Sequence, residues 1–237
     1  YNQGTNPLTP QEIRHVVFAS YFNDWLIEKV KQWKNIKYIS DILNINKKRF
    51  GDKSTHQELY VLFGIFMNLN KPNYSINSDS KKKKHEIKIG INQDYYSSTN
   101  YVVEFMNYAR NLDEIESQAL IISCEKFVNK FISFLKTVYY DNGLTYPLSK
   151  EIYQSKTTRN YKMQTSILMI MTSVYSYIDN KNIPFESNEE TEKIRMVIRK
   201  GFMKSDFPTT TSSTTEPTFL VKTISTIIDD IEKSFNI

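Results

Sequence analysis

Three histidines and one cysteine are all that 237 residues offer to the commonest metal and nucleophile chemistries. His15, His56 and His85 stand apart, none with a second His or a carboxylate at ligand spacing. No His-Glu-x-x-His, phosphate-cradling glycine loop, Gly-x-Ser-x-Gly elbow or dinucleotide fingerprint occurs. Cys124 lies among Ile121, Ile122 and Phe127 and reads as an apolar core thiol, since nothing nearby would lower its pKa. The expectation is therefore no catalytic and no metal-ligating residue in this chain. The remaining candidates are cations. Lys81, Lys82, Lys83 and Lys84 form a run that either touches nucleic-acid backbone or is simply a solvated loop. Lys156 and Arg159, within Ser155-Lys156-Thr157-Thr158-Arg159, precede a helical stretch and could meet an anion at its free N–H groups.

Composition narrows the class. With 6 Gly, 7 Pro and 40% hydrophobic residues the chain is neither collagen-like nor wholly disordered. One cysteine means no internal disulfide, and a reducing, cytoplasmic setting is expected. No apolar run approaches the ~20 residues that span a bilayer; the longest, Ile167 to Ile178, is interrupted by Thr and Ser. A soluble protein without membrane contact is expected. The net charge of +5 comes from 31 Lys+Arg against 26 Asp+Glu, and only six of the basic residues are Arg. Lysine suits loose, salt-sensitive phosphate contact better than base readout. DNA is thus a candidate partner, and oligomerisation is left open. The first residues are Tyr1-Asn2-Gln3, without Met, which suggests a piece of a longer polypeptide.

The elements that would position these groups are helical. Thr9-Pro10-Gln11-Glu12 is a capping box with Pro at the first helical position. Ile13, Val16, Val17, Tyr21, Trp25, Leu26 and Val30 then recur at helical spacing, predicting one amphipathic helix over 10–33. A short helix follows at 36–43. Thr55-His56-Gln57-Glu58 repeats the capping pattern ahead of Leu59–Leu69, apolar on every face and hence central. Residues 71–96 read as a loop insertion with a strand pair near 87–89. Helices are predicted at 97–109, 112–140, 147–154, 161–181, 187–203 and 218–236, with Asn142-Gly143 ending the longest. The stretch 207–218 is a hydroxyl-rich, low-complexity loop. The result is an all-α domain over 10–237, an irregular bundle of about eight helices, with 1–9 as a linker.

One segment carries a more specific signal. Tyr1 to His15 resembles the stretch Asn-x-Gly-x-Pro-Leu-x-x-Gln-Glu-(Leu/Ile)-Arg that follows the catalytic domain in the GmrSD-type family. The matching residues are Asn2, Gly4, Pro7, Leu8, Gln11, Glu12, Ile13 and Arg14, with Thr5 matching a variant. Further on, Phe22 to Leu26, Arg49 with Glu58 to Asn68, and Tyr101 to Met106 resemble later family helices in pattern, although Phe63 stands where the family often has Arg. The resemblance implies the helical C-terminal part of a restriction-type, anti-phage protein. Its N-terminal domain would have a ParB/sulfiredoxin-like fold and hydrolyse nucleotides in attacking modified DNA. A nucleoside triphosphate and a divalent metal would then belong to the longer protein, with no cofactor in this chain. The family's Asp-Gly-Gln-Gln-Arg motif and its added HNH nuclease domain are absent here.

Physical reasoning gives the opening motif its own sense. Gly4 and Pro7 shape the approach, the capping box sets the angle, and Gln11, Glu12 and Arg14 occupy the first turns. Asn2, Gly4, Pro7, Gln11, Glu12 and Arg14 are accordingly candidates for a seam with the missing N-terminal domain, or for contact with a phosphate bound there. The plainer alternative is that Glu12 caps, Arg14 pairs locally, and the group only fixes the inter-domain angle.

Overall fold

Thr9 starts the first helix in the way its neighbours require. Its Oγ1 accepts the Glu12 amide at 3.3 Å, while Glu12 Oε2 accepts the Thr9 amide at 2.8 Å. The computed structural model describes residues 8–71, 74–77, 86–154, 161–205, 207 and 215–237. Among these residues the chain forms α1 (Pro10–Val17), α2 (Tyr21–Lys34), α3 (Lys37–Ile42), α4 (Lys47–Gly51) and α5 (Ser54–Asn68). After these come α6 (Ser98–Arg110), α7 (Glu114–Val138), α8 (Thr165–Asn180), α9 (Asn188–Lys204) and α10 (Pro217–Phe235). A two-stranded antiparallel ribbon, β1 (Ser75–Asn77) with β2 (Glu86–Lys88), sets Ile76 opposite Ile87 inside the predicted loop insertion. The all-α expectation holds.

Three local predictions are corrected. The helix expected over 10–33 is two helices. Phe18 leaves helical geometry (φ −112°, ψ 43°), and Ser20 caps a new start by accepting the Asn23 amide at 3.2 Å. The break resets the helical phase, so the apolar stripe is not continuous across it. The helix expected at 147–154 shrinks to a 3-10 turn, Lys150–Ile152. There Ser149 Oγ donates to the Tyr146 carbonyl at 2.7 Å and Glu151 Oε2 accepts the Tyr146 amide at 2.6 Å, side-chain bonds that compete with a longer helix. The second capping box is not made either. α5 begins two residues early, behind Lys53 in a left-handed conformation, and Thr55 Oγ1 is buried without a partner.

Two helices form the centre. α5 is buried at every position from Glu58 to Ile65, and α8 at every position from Ser166 to Ile178. The polar residues that α8 carries inward are largely satisfied by backbone. Thr172 donates to the Leu168 carbonyl at 2.7 Å, and Ser173 to those of Met169 at 3.0 Å and Ile89 at 2.6 Å. α5 packs on α6 and α8, α8 on α10, and α9 on α10. The long α7 packs against α2, α3, α8 and α9. Their buried side chains make one continuous cluster. Among the described residues no helix is long and apolar enough to cross a membrane.

Gly201 marks the closest approach of α9 to α10. A Cβ built there would sit 2.3 Å from Ile227 Cγ1. Gly201→Ala should therefore lower stability despite the ~1 kcal/mol that Ala gains over Gly within a helix, because overpacking costs about 1–3 kcal/mol. The check is a thermal melt, with a fall of a few degrees expected at this chain length. A rise would mean that the two helices can separate freely.

Candidate functional site

Polar side chains converge where α1 meets the N-terminal half of α5. The residues that α1 buries are Gln11 and His15. Gln11 Nε2 lies 3.9 Å from Met106 Sδ on α6, and its Oε1 accepts from Arg14 Nη1 at 3.0 Å. The same guanidinium reaches Gln57 Oε1, on α5, at 3.4 Å. Below them the His15 ring meets that of His56 edge-on, with centroids 5.4 Å apart, and that of Tyr60 at 6.1 Å. Asn23, in the first turn of α2, closes the group. Its amide donates to the carbonyls of Phe18 at 2.9 Å and His15 at 3.3 Å, while its Oδ1 accepts from the Tyr60 hydroxyl. Beside this cluster Arg49 forms an ion pair with Glu58, and the guanidinium reaches Met163 Sδ at 3.6 Å.

Burial governs the electrostatics. His15 is 8% exposed and His56 2%, and none of their four ring nitrogens has a hydrogen-bond partner. Desolvation lowers the His15 pKa to about 4, with Lys53 adding to the effect. It lowers that of His56 to about 3, helped by His15 and Lys53. Both rings are neutral near pH 7. Burial also lowers the pKa values of Arg14 and Arg49. Two hydrogen bonds from Thr9 hold Glu12 below the usual carboxylate range. Neither imidazole is oriented by a carboxylate and neither faces a nucleophile, so the arrangement lacks the parts of a general-base site. Its chemistry is that of an anchor: a desolvated polar contact that fixes how α1 sits on α5.

What the anchor fixes is an inverted helix. With Gln11 and His15 inward, α1 turns Ile13, Val16 and Val17 outward, 49%, 74% and 53% exposed. Leu8 before it and Tyr21 after it are exposed as well. An amphipathic helix on an isolated domain normally does the opposite. The apolar surface continues past Phe18 onto α6, where Val103 and Tyr108 are exposed and Arg110 Nη1 donates to the Val17 carbonyl at 3.3 Å. A groove of about 480 Å³ lined by Phe18, Val103, Glu104 and Asn107 lies alongside.

The sequence candidates separate cleanly. Gln11, Glu12 and Arg14 come together, but through intramolecular contacts: one points into the core, one caps its own helix, and one is held by Gln11 and Gln57. Asn2, Gly4 and Pro7 lie outside the described residues, as do Lys81, Lys82, Lys83, Lys84, Lys156 and Arg159. Cys124 is buried and burial pushes its thiol up, so it is unreactive. Among the described residues no group of three or more His, Cys, Asp or Glu side chains is placed to hold a metal ion. Sequence reasoning missed the His15–His56 contact and the outward apolar face. The first has no sequence signal, because the two rings meet only through docking of separate helices. The second had one, the Phe18-Ala19-Ser20 interruption, in which Ser20 is a capping residue.

Comparison with protein-family models, with curated proteins and with solved structures finds no match in any of the three. The resemblance to the GmrSD-type family therefore rests on the opening stretch and the patterns that follow it.

Proposed function

We propose that this chain is a helical support domain of a GmrSD-like, nucleotide-hydrolysing DNA-restriction protein, and that the outer face of α1 seats its catalytic domain. The observation that carries the reading is the inverted α1. Ile13, Val16 and Val17 are held in solvent by a polar anchor on the helix's other side. An apolar patch held open in this way is a mark of an interaction surface. Support also comes from the position of the patch, directly behind the stretch that resembles the family's link between its two parts. Gln11, Glu12 and Arg14 then act by setting the angle of α1, not by touching the neighbour. The domain serves as scaffold or lid, and the nucleotide and metal belong to the partner domain.

The test is made in the longer reading frame, with nucleotide turnover measured for the native sequence and for Val16→Asp combined with Val17→Asp. Turnover should fall at least tenfold. In the helical domain alone the same pair should change stability by no more than about 0.5 kcal/mol per site, as for exposed positions generally. Unchanged turnover would remove α1 from the seam. The same face also favours a second reading, a stand-alone helical interaction module without catalysis. A longer protein that lacks nucleotide turnover, yet loses a binding partner on Val16→Asp, would establish that reading instead. A DNA-platform role predicts binding that weakens steeply with salt, and salt-independent binding would remove it.

A further inference from the structure

A second site is built from elements other than α1 and its neighbours. Between the 139–154 segment and α9 is a cleft of about 400 Å³, within the size range of small-molecule pockets. Tyr139 lines it. This residue is 1% exposed, and its hydroxyl has no hydrogen-bond partner. Burial raises the Tyr139 pKa and nearby Arg195 opposes the rise, so the phenol is within electrostatic reach of that guanidinium. At neutral pH the hydroxyl is a donor in need of an acceptor.

Charge commitments in the wall decide what kind of acceptor. Arg195 and Arg199, one turn apart on α9, both line the cleft, as do two carboxylates, Glu151 and Glu192. Both carboxylates are already engaged: Glu192 pairs with Arg195, and Glu151 Oε2 accepts the Tyr146 amide at 2.6 Å. Arg199 has no ion pair or side-chain hydrogen bond among the described residues. Besides the side-chain amides of Asn142 and Gln154, the cleft offers a ligand the Arg199 guanidinium fork and the buried Tyr139 hydroxyl, both donors. Leu144, Ile152 and Met196 supply an apolar wall, and Met196 is 62% exposed.

We infer that this cleft binds a small organic oxyanion, a carboxylate or a phosphomonoester on an apolar body, with Arg199 and the Tyr139 hydroxyl as its polar contacts. The guanidinium fork matches either oxyanion bidentately. The phenol completes the contact from the buried side, and the body lies on Leu144, Ile152 and Met196. The inference is independent of the role proposed for α1.

Calorimetric titration of the purified chain with phenyl phosphate, benzoate and benzylammonium tests it. Saturable binding of one or both anions is expected, weakened about tenfold by Arg199→Gln and severalfold by Tyr139→Phe. The anion that binds more tightly identifies the oxyanion class. Unliganded Tyr139→Phe should melt no lower than the native chain, because it removes only an unpartnered hydroxyl. Absence of saturable binding by both anions, affinities equal in the native chain and both variants, or benzylammonium binding as tightly would each overturn the inference. So would a much lower melting point for Tyr139→Phe, which would show that the hydroxyl already has a partner.

Discussion

Arg49→Ala is expected to lower the stability of the domain by about 3–5 kcal/mol, the cost of leaving one member of a buried ion pair uncompensated. The side chains of Arg49 and Glu58 are only 15% and 10% exposed, so solvent screens the pair poorly. Arg49 lies in α4 and Glu58 on α5, so the pair ties a short helix to the central one. Its Nε has no acceptor, and burial already disfavours the guanidinium charge, so the geometry leaves little surplus. The double replacement Arg49→Met with Glu58→Leu should therefore recover most of the loss, since apolar residues of similar volume avoid both desolvation penalties. Urea unfolding of Arg49→Met, Glu58→Leu and the double closes a mutant cycle. If Arg49→Ala costs less than about 1 kcal/mol, the pair is solvated in solution and this account of the α4–α5 joint is wrong.

Acidification from pH 6.5 towards 4 should destabilise the domain by a few kcal/mol through His15 and His56. Both have folded-state pKa values depressed from 6.5, to about 4 and about 3. In that window the unfolded chain binds the protons and the folded chain does not. Stability is therefore fully present above pH 6.5 and declines as pH falls, by up to about 1.4 kcal/mol per unit for each ring. The rings touch, so a proton on one disfavours a proton on the other and the pair titrates together. Glu12 and Asp52, whose pKa values are also lowered, contribute in the same direction but only below the ordinary carboxylate range. The interval between pH 6.5 and about 4.5 thus isolates the histidines. His56→Phe should roughly halve the slope of stability against pH there, measured by urea midpoints at fixed pH steps. An unchanged slope would place the sensitive group elsewhere.

Much of the local architecture was legible because it depends on residues three or four apart. The Thr9–Glu12 box and the apolar run that becomes α8 follow from short-range spacing, whereas the longest helix ends at Val138 and the left-handed Gly143 closes the 3-10 turn after it. The failures share a cause. Thr55-His56-Gln57-Glu58 has capping spacing, but Glu58 is drawn to Arg49 and the helix starts before Thr55. Ile13, Val16 and Val17 have core spacing, but the phase break at Phe18 frees α1 to rotate. At Thr55 a tertiary contact outweighed a capping preference worth about 1 kcal/mol, and at α1 the burial of Gln11 and His15 overrode the apolar spacing.

The candidate site was half visible. Gln11, Glu12 and Arg14 were singled out from the opening motif, and the structure does gather them. Within this chain Gln11 reaches Met106, Arg14 reaches Gln11 and Gln57, and Glu12 caps its own helix. The residues that face outward are Ile13, between them, and Val16 and Val17, just after them.

By itself, then, the amino-acid order determined that this chain is helical, where most of its helices begin and end, and that its thiol and long apolar runs are interior. Caps, left-handed stops and apolar periodicity act through bonds and contacts within one or two turns, so they survive without knowledge of the fold. Only the tertiary structure decided which way α1 faces, that two imidazoles are buried side by side, and that Tyr139 and Arg199 line one cleft. Those depend on how separately stable helices dock, and docking is set by the sum of many weak contacts between residues far apart along the chain.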